Sequence, residues 1–205
     1  SEFYIMNYIK GEAPSDNPPY HLDPDGMMGR ADSKKRRNVW IDWLLYLSNL
    51  HNLDLKDISL DDFCEDDING NPVISDIEYY KDFLDWGMDG EPNNLCDDVI
   101  NWLKKNIPSD SNPNKLCWGD SRLGNVLYQD YKATALLDWE MASIGDPISD
   151  LAWGFAVDDA SSLGLGIKKL EGSLTSSEAI EIWEKNTDLS SKNYKFYRIF
   201  SLLKF

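Results

Sequence analysis

The sequence predicts an α+β fold, mostly helical, with its polar chemistry carried by one small β-hairpin. Three observations predict it. Apolar residues recur at helical spacing over most of the chain, as with Val39, Trp43, Leu44, Leu47 and Leu50. Two short apolar runs, 126–128 and 133–137, flank the turn-like stretch 129–132, the pattern of a hairpin. The 205 residues, 42% of them hydrophobic, also suffice for a sizeable core in one or two lobes.

From the start, Phe3, Tyr4, Ile5 and Met6 read as a strand, which residues 7–12 leave for a loop punctuated by Pro14, Pro18 and Pro19. A long helix is expected over 34–52, basic at its start and apolar along one stripe. His51 at its end has no nearby partner with which to share a metal, so it reads as a packing residue. Residues 76–86, with Ile77, Tyr80, Phe83 and Leu84, and residues 95–105, with Val99, Trp102 and Leu103, predict two more helices. Residues 115–118 form an apolar lead-in strand. Pro147 suits the first turn of a helix running through Leu151, Ala152 and Phe155, and Ser176 or Ser177 opens another. The Gly- and Asp-rich stretch 158–172 reads as a mobile loop near the cleft, and residues 192–205 as an amphipathic helix.

A formal charge of −16 argues against binding nucleic acid or an anionic membrane through the general surface, because both partners are polyanions. No run approaches the roughly 18 apolar residues of a membrane helix, and the first residues lack the basic and apolar regions of a signal peptide, which predicts a cytoplasmic protein. Cys64, Cys96 and Cys117 are too few and too widely spaced for a disulfide framework or a zinc site. Acidic clusters such as 65–67 and 97–98 read as solvated faces and helix starts. Nothing in the pattern sets an oligomeric state.

The chemistry concentrates between residues 117 and 140. Asp120 and Asn125 lie on a short loop after the lead-in strand, and Asp138 ends the second run of the hairpin, so Asn125 and Asp138 are expected to face each other across the strand pair. Transfer of a γ-phosphoryl group needs a carboxylate to orient or deprotonate the accepting hydroxyl, and hard oxygen ligands for the magnesium that neutralises phosphate charge. Asp120 suits the first task; Asn125 and Asp138 suit the second. Arg122, two residues after the carboxylate, is a candidate for contacting the transferring phosphate, with loop bracing as the alternative.

The run Trp-Gly-Asp-Ser-Arg-Leu-Gly-Asn-Val-Leu-Tyr, followed by Leu-Leu-Asp-Trp-Glu-Met-Ala-Ser-Ile-Gly-Asp-Pro-Ile-Ser-Asp-Leu-Ala-Trp, resembles the catalytic and metal loops of the aminoglycoside phosphotransferase and choline kinase-like family. Within that family it most resembles the kinase-like domains related to those fused to acyl-CoA dehydrogenases. The resemblance implies a protein kinase-like fold that uses ATP and Mg2+, with Asp120 as catalytic base, Asn125 and Asp138 as metal ligands, and Asp150 as a buried brace of the catalytic loop. It also implies that residues 1–13 are the last strand of an N-terminal lobe and the interlobe hinge, where main-chain groups of Asn7, Tyr8 and Ile9 meet the adenine. Residues 14–205 are then the C-terminal lobe, with the loops of helices 76–86 and 95–105 on the acceptor side.

The family usually has His where this chain has Trp118, a position that packs and places the loop. The strands, phosphate-covering loop and Lys–Glu pair of an N-lobe have no counterpart before Phe3. The chain is therefore expected to be truncated at both ends, to bind ATP weakly and to be inactive by itself. The acceptor expected from the resemblance is a hydroxyl on a small molecule, a hydroxyacyl-CoA or hydroxy acid rather than an aminoglycoside. A catalytically silent nucleotide- or acyl-CoA-binding pseudokinase module is the competing reading, opposed by the intact Asp120, Asn125 and Asp138.

Overall fold

The computed structural model describes residues 7–59 and 72–205. A short helix α1 (Met27–Arg30) precedes α2 (Ser33–His51), which starts where the Asp32 side chain accepts the Lys35 N–H at 2.7 Å. The expected stripe of α2 is its core face: Val39, Trp43, Leu44, Leu47 and Leu50 are all buried. Helices α3 (Pro72–Gly87) and α4 (Asn94–Lys105) follow, the latter capped by Asn93, which accepts the Cys96 N–H.

The strands are short: β1 (Lys115–Cys117), β2 (Val126–Gln129), β3 (Lys132–Leu136) and β4 (Ser143–Gly145). β2 and β3 form the expected hairpin, with Val126 opposite Leu136 and Gln129 opposite Lys132. Its two central turn residues, Asp130 and Tyr131, both have positive φ, the handedness that matches the twist of a tight hairpin. β1 pairs with β4 and not with the hairpin. β4 escapes a sequence reading because it has only three residues, one of them glycine.

Three helices complete the fold: α5 (Ile148–Ala160), α6 (Ser176–Thr187) and α7 (Tyr194–Lys204). Pro147 sits immediately before α5, as expected. The cap of α6 is Thr175, one residue earlier than expected, because Thr175 and Glu178 complete a reciprocal capping box. Stretch 158–172 is tied down rather than left as a plain loop: residues 158–160 finish α5, and Lys169 meets Asp158 and Asp159 at 2.5 Å each. The acids that read as loop formers are answered by cations. The expected strand at residues 3–6, Cys64 and the acidic stretch 65–67 lie outside the described residues.

The core centres on aromatic packing between α2 and α5. Trp40 stacks on Phe155 at 5.2 Å between centroids, and Trp43 meets the same ring edge-on at 6.0 Å. Both indoles are almost completely buried, and truncating one to Ala costs about 3–5 kcal/mol in a packed core. This core forms the rigid floor on which the loop after β1 rests.

Candidate active site

Residues 118–122 form the loop between β1 and a single 3-10 turn, Leu123–Asn125. The loop turns at Gly119, whose φ of +84° belongs to the left-handed region. A Cβ there would lie 1.9 Å from the Met141 carbonyl oxygen, so only glycine fits.

Asp150, in the first turn of α5, holds the loop from beneath. Its Oδ2 accepts the Trp118 N–H at 2.7 Å and its Oδ1 the Gly119 N–H at 2.8 Å. His51 Nε2 lies 3.1 Å from Oδ2, and the Trp183 indole N–H donates to His51 Nδ1 at 2.9 Å. An indole N–H only donates, so His51 Nδ1 is the acceptor and Nε2 carries the proton given to Asp150. The packing role read for His51 is its observed one. Ser121 completes the attachment: its hydroxyl donates to the Asp150 carbonyl, and its own carbonyl accepts the Trp43 indole N–H at 2.9 Å.

Asp120 is held at both carboxylate oxygens. Trp153 Nε1 donates to Oδ1 at 2.7 Å; Asn125 Nδ2 at 2.7 Å and Arg122 Nε at 2.9 Å donate to Oδ2. Asn125 also donates to the Asp120 carbonyl. Its amide nitrogen is therefore committed, which leaves the amide oxygen as the group available to a cation.

Asp138 follows β3 and adopts φ +58°, uncommon for a residue with a Cβ and costly by about 1 kcal/mol. The Leu137 N–H donates to the Asn125 carbonyl at 2.8 Å, so Asp138 emerges directly beside Asn125, as expected for strand ends that face each other. The Asp138 carboxylate is exposed and has no partner among the described residues. An amide oxygen and an open carboxylate at neighbouring strand ends are the donor types that suit Mg2+, whose other positions are commonly filled by water and phosphate. Among the described residues no three His, Cys, Asp or Glu side chains gather as an all-protein metal cage.

Arg122 links this constellation outward, donating to Asp16 at 2.8 Å as well as to Asp120. Its guanidinium thus serves as a loop brace in this structure. Asn7, Tyr8 and Ile9 are exposed, and Glu12 shortly after them pairs with Tyr128 through two backbone hydrogen bonds of 2.8 and 2.9 Å. The structure brings Asp120, Arg122 and Asn125 into contact, sets Asp138 beside them, and attaches the segment after Ile9 to the same hairpin.

Trp153 is the site residue that the sequence reading missed. Its signal was present: residues three apart share a helix face, so a helix that puts Asp150 under the loop puts Trp153 there too.

Beside the loop lies a cleft of about 290 Å³. Gly119, Tyr80, Glu140, Trp153, Phe200 and Lys204 are among its lining residues, and it reaches Asp120 through the Trp153 indole. Its walls come from α3, α5, α7 and the segment 140–146 that includes β4. No residue of α4 lines it, because α4 packs behind, with Trp102 stacked on Phe196.

Residues 1–175 match the sequence pattern of the phosphotransferase enzyme family. The chain belongs to this family. Human acyl-CoA dehydrogenase family member 11 is 26% identical over 160 residues, covering 74% of this chain and 18% of that protein. Mouse acyl-CoA dehydrogenase family member 10 is 27% identical over 154 residues, covering 74% of this chain and 13% of that protein. The chain therefore spans less than a fifth of the length of these curated relatives. A crystal structure of a putative aminoglycoside phosphotransferase from Ralstonia eutropha superposes with a TM-score of 0.79 at 22% identity, covering 98% of this chain and 60% of that one. The fold of the phosphotransferase chain is thus that of the aminoglycoside phosphotransferases, the protein kinase-like fold. No helix among its described residues is long and apolar enough to cross a membrane.

Proposed function

We propose that this phosphotransferase moves the γ-phosphoryl group of ATP to a hydroxyl of a small molecule, in the cytoplasm. The observation that carries the reading is the 2.7 Å contact between Asp120 and Asn125, with Asp138 set beside Asn125 by the Leu137 hydrogen bond. A base and two oxygen donors then share one mouth.

In this reading Asp120 orients the acceptor hydroxyl and takes its proton. The Trp153 and Asn125 donors fix the carboxylate so that its lone pairs are aimed before the substrate arrives. The Asn125 amide oxygen and the Asp138 carboxylate hold Mg2+, which when bound neutralises phosphate charge. That need is acute here, because Arg122 is already paired with both Asp16 and Asp120. Arg122 moves its guanidinium from Asp16 to the transferring phosphate, and main-chain groups of Asn7, Tyr8 and Ile9 meet the adenine edge. The acceptor class favoured by the similarity to acyl-CoA dehydrogenase family members is a hydroxy acid or hydroxyacyl-CoA.

The test is ADP release by the protein at its natural length over a panel of hydroxy acids, hydroxyacyl-CoAs, amino sugars and choline. Asp120→Asn is expected to lower kcat about 10²–10⁴-fold while leaving the KM for MgATP nearly unchanged. Asp138→Ala is expected to abolish turnover at ordinary magnesium concentrations. Full activity in Asp120→Ala would remove the proposed base from the mechanism.

A further inference from the structure

The cleft beside the catalytic loop contains an ammonium that no carboxylate among the described residues meets in a direct ion pair. Lys204, on the last turn of α7, places Nζ 4.8 Å from the Tyr80 ring centre, 5.0 Å from Trp153 and 5.5 Å from Phe200. Among the described residues no acid lies within ion-pairing distance of it. Against the larger opposing effect of burial, Asp76, Asp150 and Asp120 favour its charged form from beyond that distance. Asp150 accepts two backbone N–H groups, and Asp146 accepts from Asn112 and from the Ile148 N–H. Glu140, at the mouth, is exposed to water.

Trp153 connects this ammonium to the proposed chemistry. The indole under Lys204 is the one whose N–H holds Asp120 Oδ1 at 2.7 Å. A molecule whose hydroxyl meets Asp120 has one indole between that point and Nζ. The volume of about 290 Å³ is at the lower end of the roughly 300–1,000 Å³ typical of ligand pockets, which suits a small acceptor better than a multi-ring amino sugar. Three rings around one point would also attract a ligand cation, but the protein's own ammonium already occupies that point and repels another. Burial lowers the Lys204 pKa, and an anion brought against it would stabilise the charged form.

We infer that Lys204 determines acceptor specificity by binding an anionic group, a carboxylate or a phosphate ester, of a small hydroxylated acceptor whose hydroxyl lies at Asp120. This deepens the proposed phosphoryl transfer and rests on it for the identity of the acceptor.

Calorimetry on the protein at its natural length, with 3-hydroxybutyrate, glycerol 3-phosphate, 1,3-butanediol and choline as probes, tests it. At least one of the two anions is expected to bind more tightly than the diol and choline, and which anion binds identifies the group. Lys204→Met keeps the apolar stem and is expected to weaken that binding about tenfold or more, the scale of one lost charge-assisted hydrogen bond. Lys204→Arg is expected to retain it within a few-fold, and Lys204→Gln repeats the test if Met disturbs the helix.

Failure of both anions to bind, equal binding of the diol or choline, or wild-type anion binding in the Met and Gln variants would overturn the inference. The two readings separate cleanly. Anions that bind through Lys204 without any phosphoryl transfer from MgATP would sink the proposed reaction and leave this site standing. Transfer with equal kcat/KM to neutral and anionic acceptors would do the reverse.

Discussion

The Trp118 indole N–H donates to the Leu137 carbonyl at 2.8 Å, and the Asp138 carbonyl lies 3.2 Å from the same nitrogen. One buried side chain thereby joins the loop that carries Asp120 to the segment that carries Asp138. Trp118→Phe removes the donor while keeping an aromatic ring in the core. The expected loss is about 1–2 kcal/mol of unfolding free energy in urea, the scale of one buried hydrogen bond. Phosphoryl transfer should fall by a larger factor than stability alone explains, because the two proposed site segments lose their common tie. A variant with wild-type kcat would show that their spacing does not depend on this bond.

Asp150 accepts the Trp118 and Gly119 N–H groups and the His51 proton within the core. Asp150→Asn presents one acceptor oxygen where there were two and turns an N–H2 toward a donor. Leaving a buried donor unsatisfied costs about 1–3 kcal/mol, more when a charge partner is lost. The expected destabilisation is therefore about 2–4 kcal/mol, read as a lower urea midpoint. His51→Gln should cost less, since it leaves both backbone donors of the loop satisfied.

Gly154, inside α5, would gain about 1 kcal/mol of helix propensity as alanine if nothing else changed. A Cβ there would stand 2.7 Å from Trp43 Cζ2 and 2.9 Å from the Ser121 carbonyl oxygen, two atoms held together by the Trp43 hydrogen bond. Overpacking typically costs about 1–3 kcal/mol, so sterics outweigh propensity and Gly154→Ala should be net destabilising. Gly87→Ala, whose Cβ meets nothing within 4 Å, is the control and should hold or raise the unfolding midpoint.

What could be read in advance divides by the range of the interaction. The hairpin was legible because its turn and alternation lie within eleven residues, and so was the placement of Asn125 beside Asp138, which follows from pairing those strands. The α2 stripe was legible from its 3.6-residue period. The β1–β4 pairing was not, since Ser143–Gly145 is too short to carry a pattern. Arg122 was read with two alternatives because its second partner, Asp16, is distant in sequence and reaches it only through the tertiary fold. Lys204 was equally opaque: a lysine at the end of an amphipathic run gives no sign that three rings from three helices surround it.

The cap of α6 gives a pH-dependent prediction far from the proposed site. Glu178 accepts the Arg37 guanidinium at 2.7 Å and the Thr175 N–H at 2.8 Å, and the Arg37 hydrogen bond foremost pulls its pKa from 4.5 down to about 2. The folded-state value lies below the unfolded one, so this group's stabilisation is fully present above pH 4.5 and is lost as pH falls toward 2. Because both side chains are partly exposed, solvent screening limits the ion pair to about 0.2–1 kcal/mol. Glu178→Gln keeps an acceptor for the Thr175 N–H but removes the charge. Its unfolding free energy should fall short of wild type at pH 6, and the gap should close as pH is lowered through that window. Added salt at pH 6 should narrow the same gap, since it screens the Arg37 pair. A gap that stays constant with both pH and salt would assign the effect to capping geometry instead of charge.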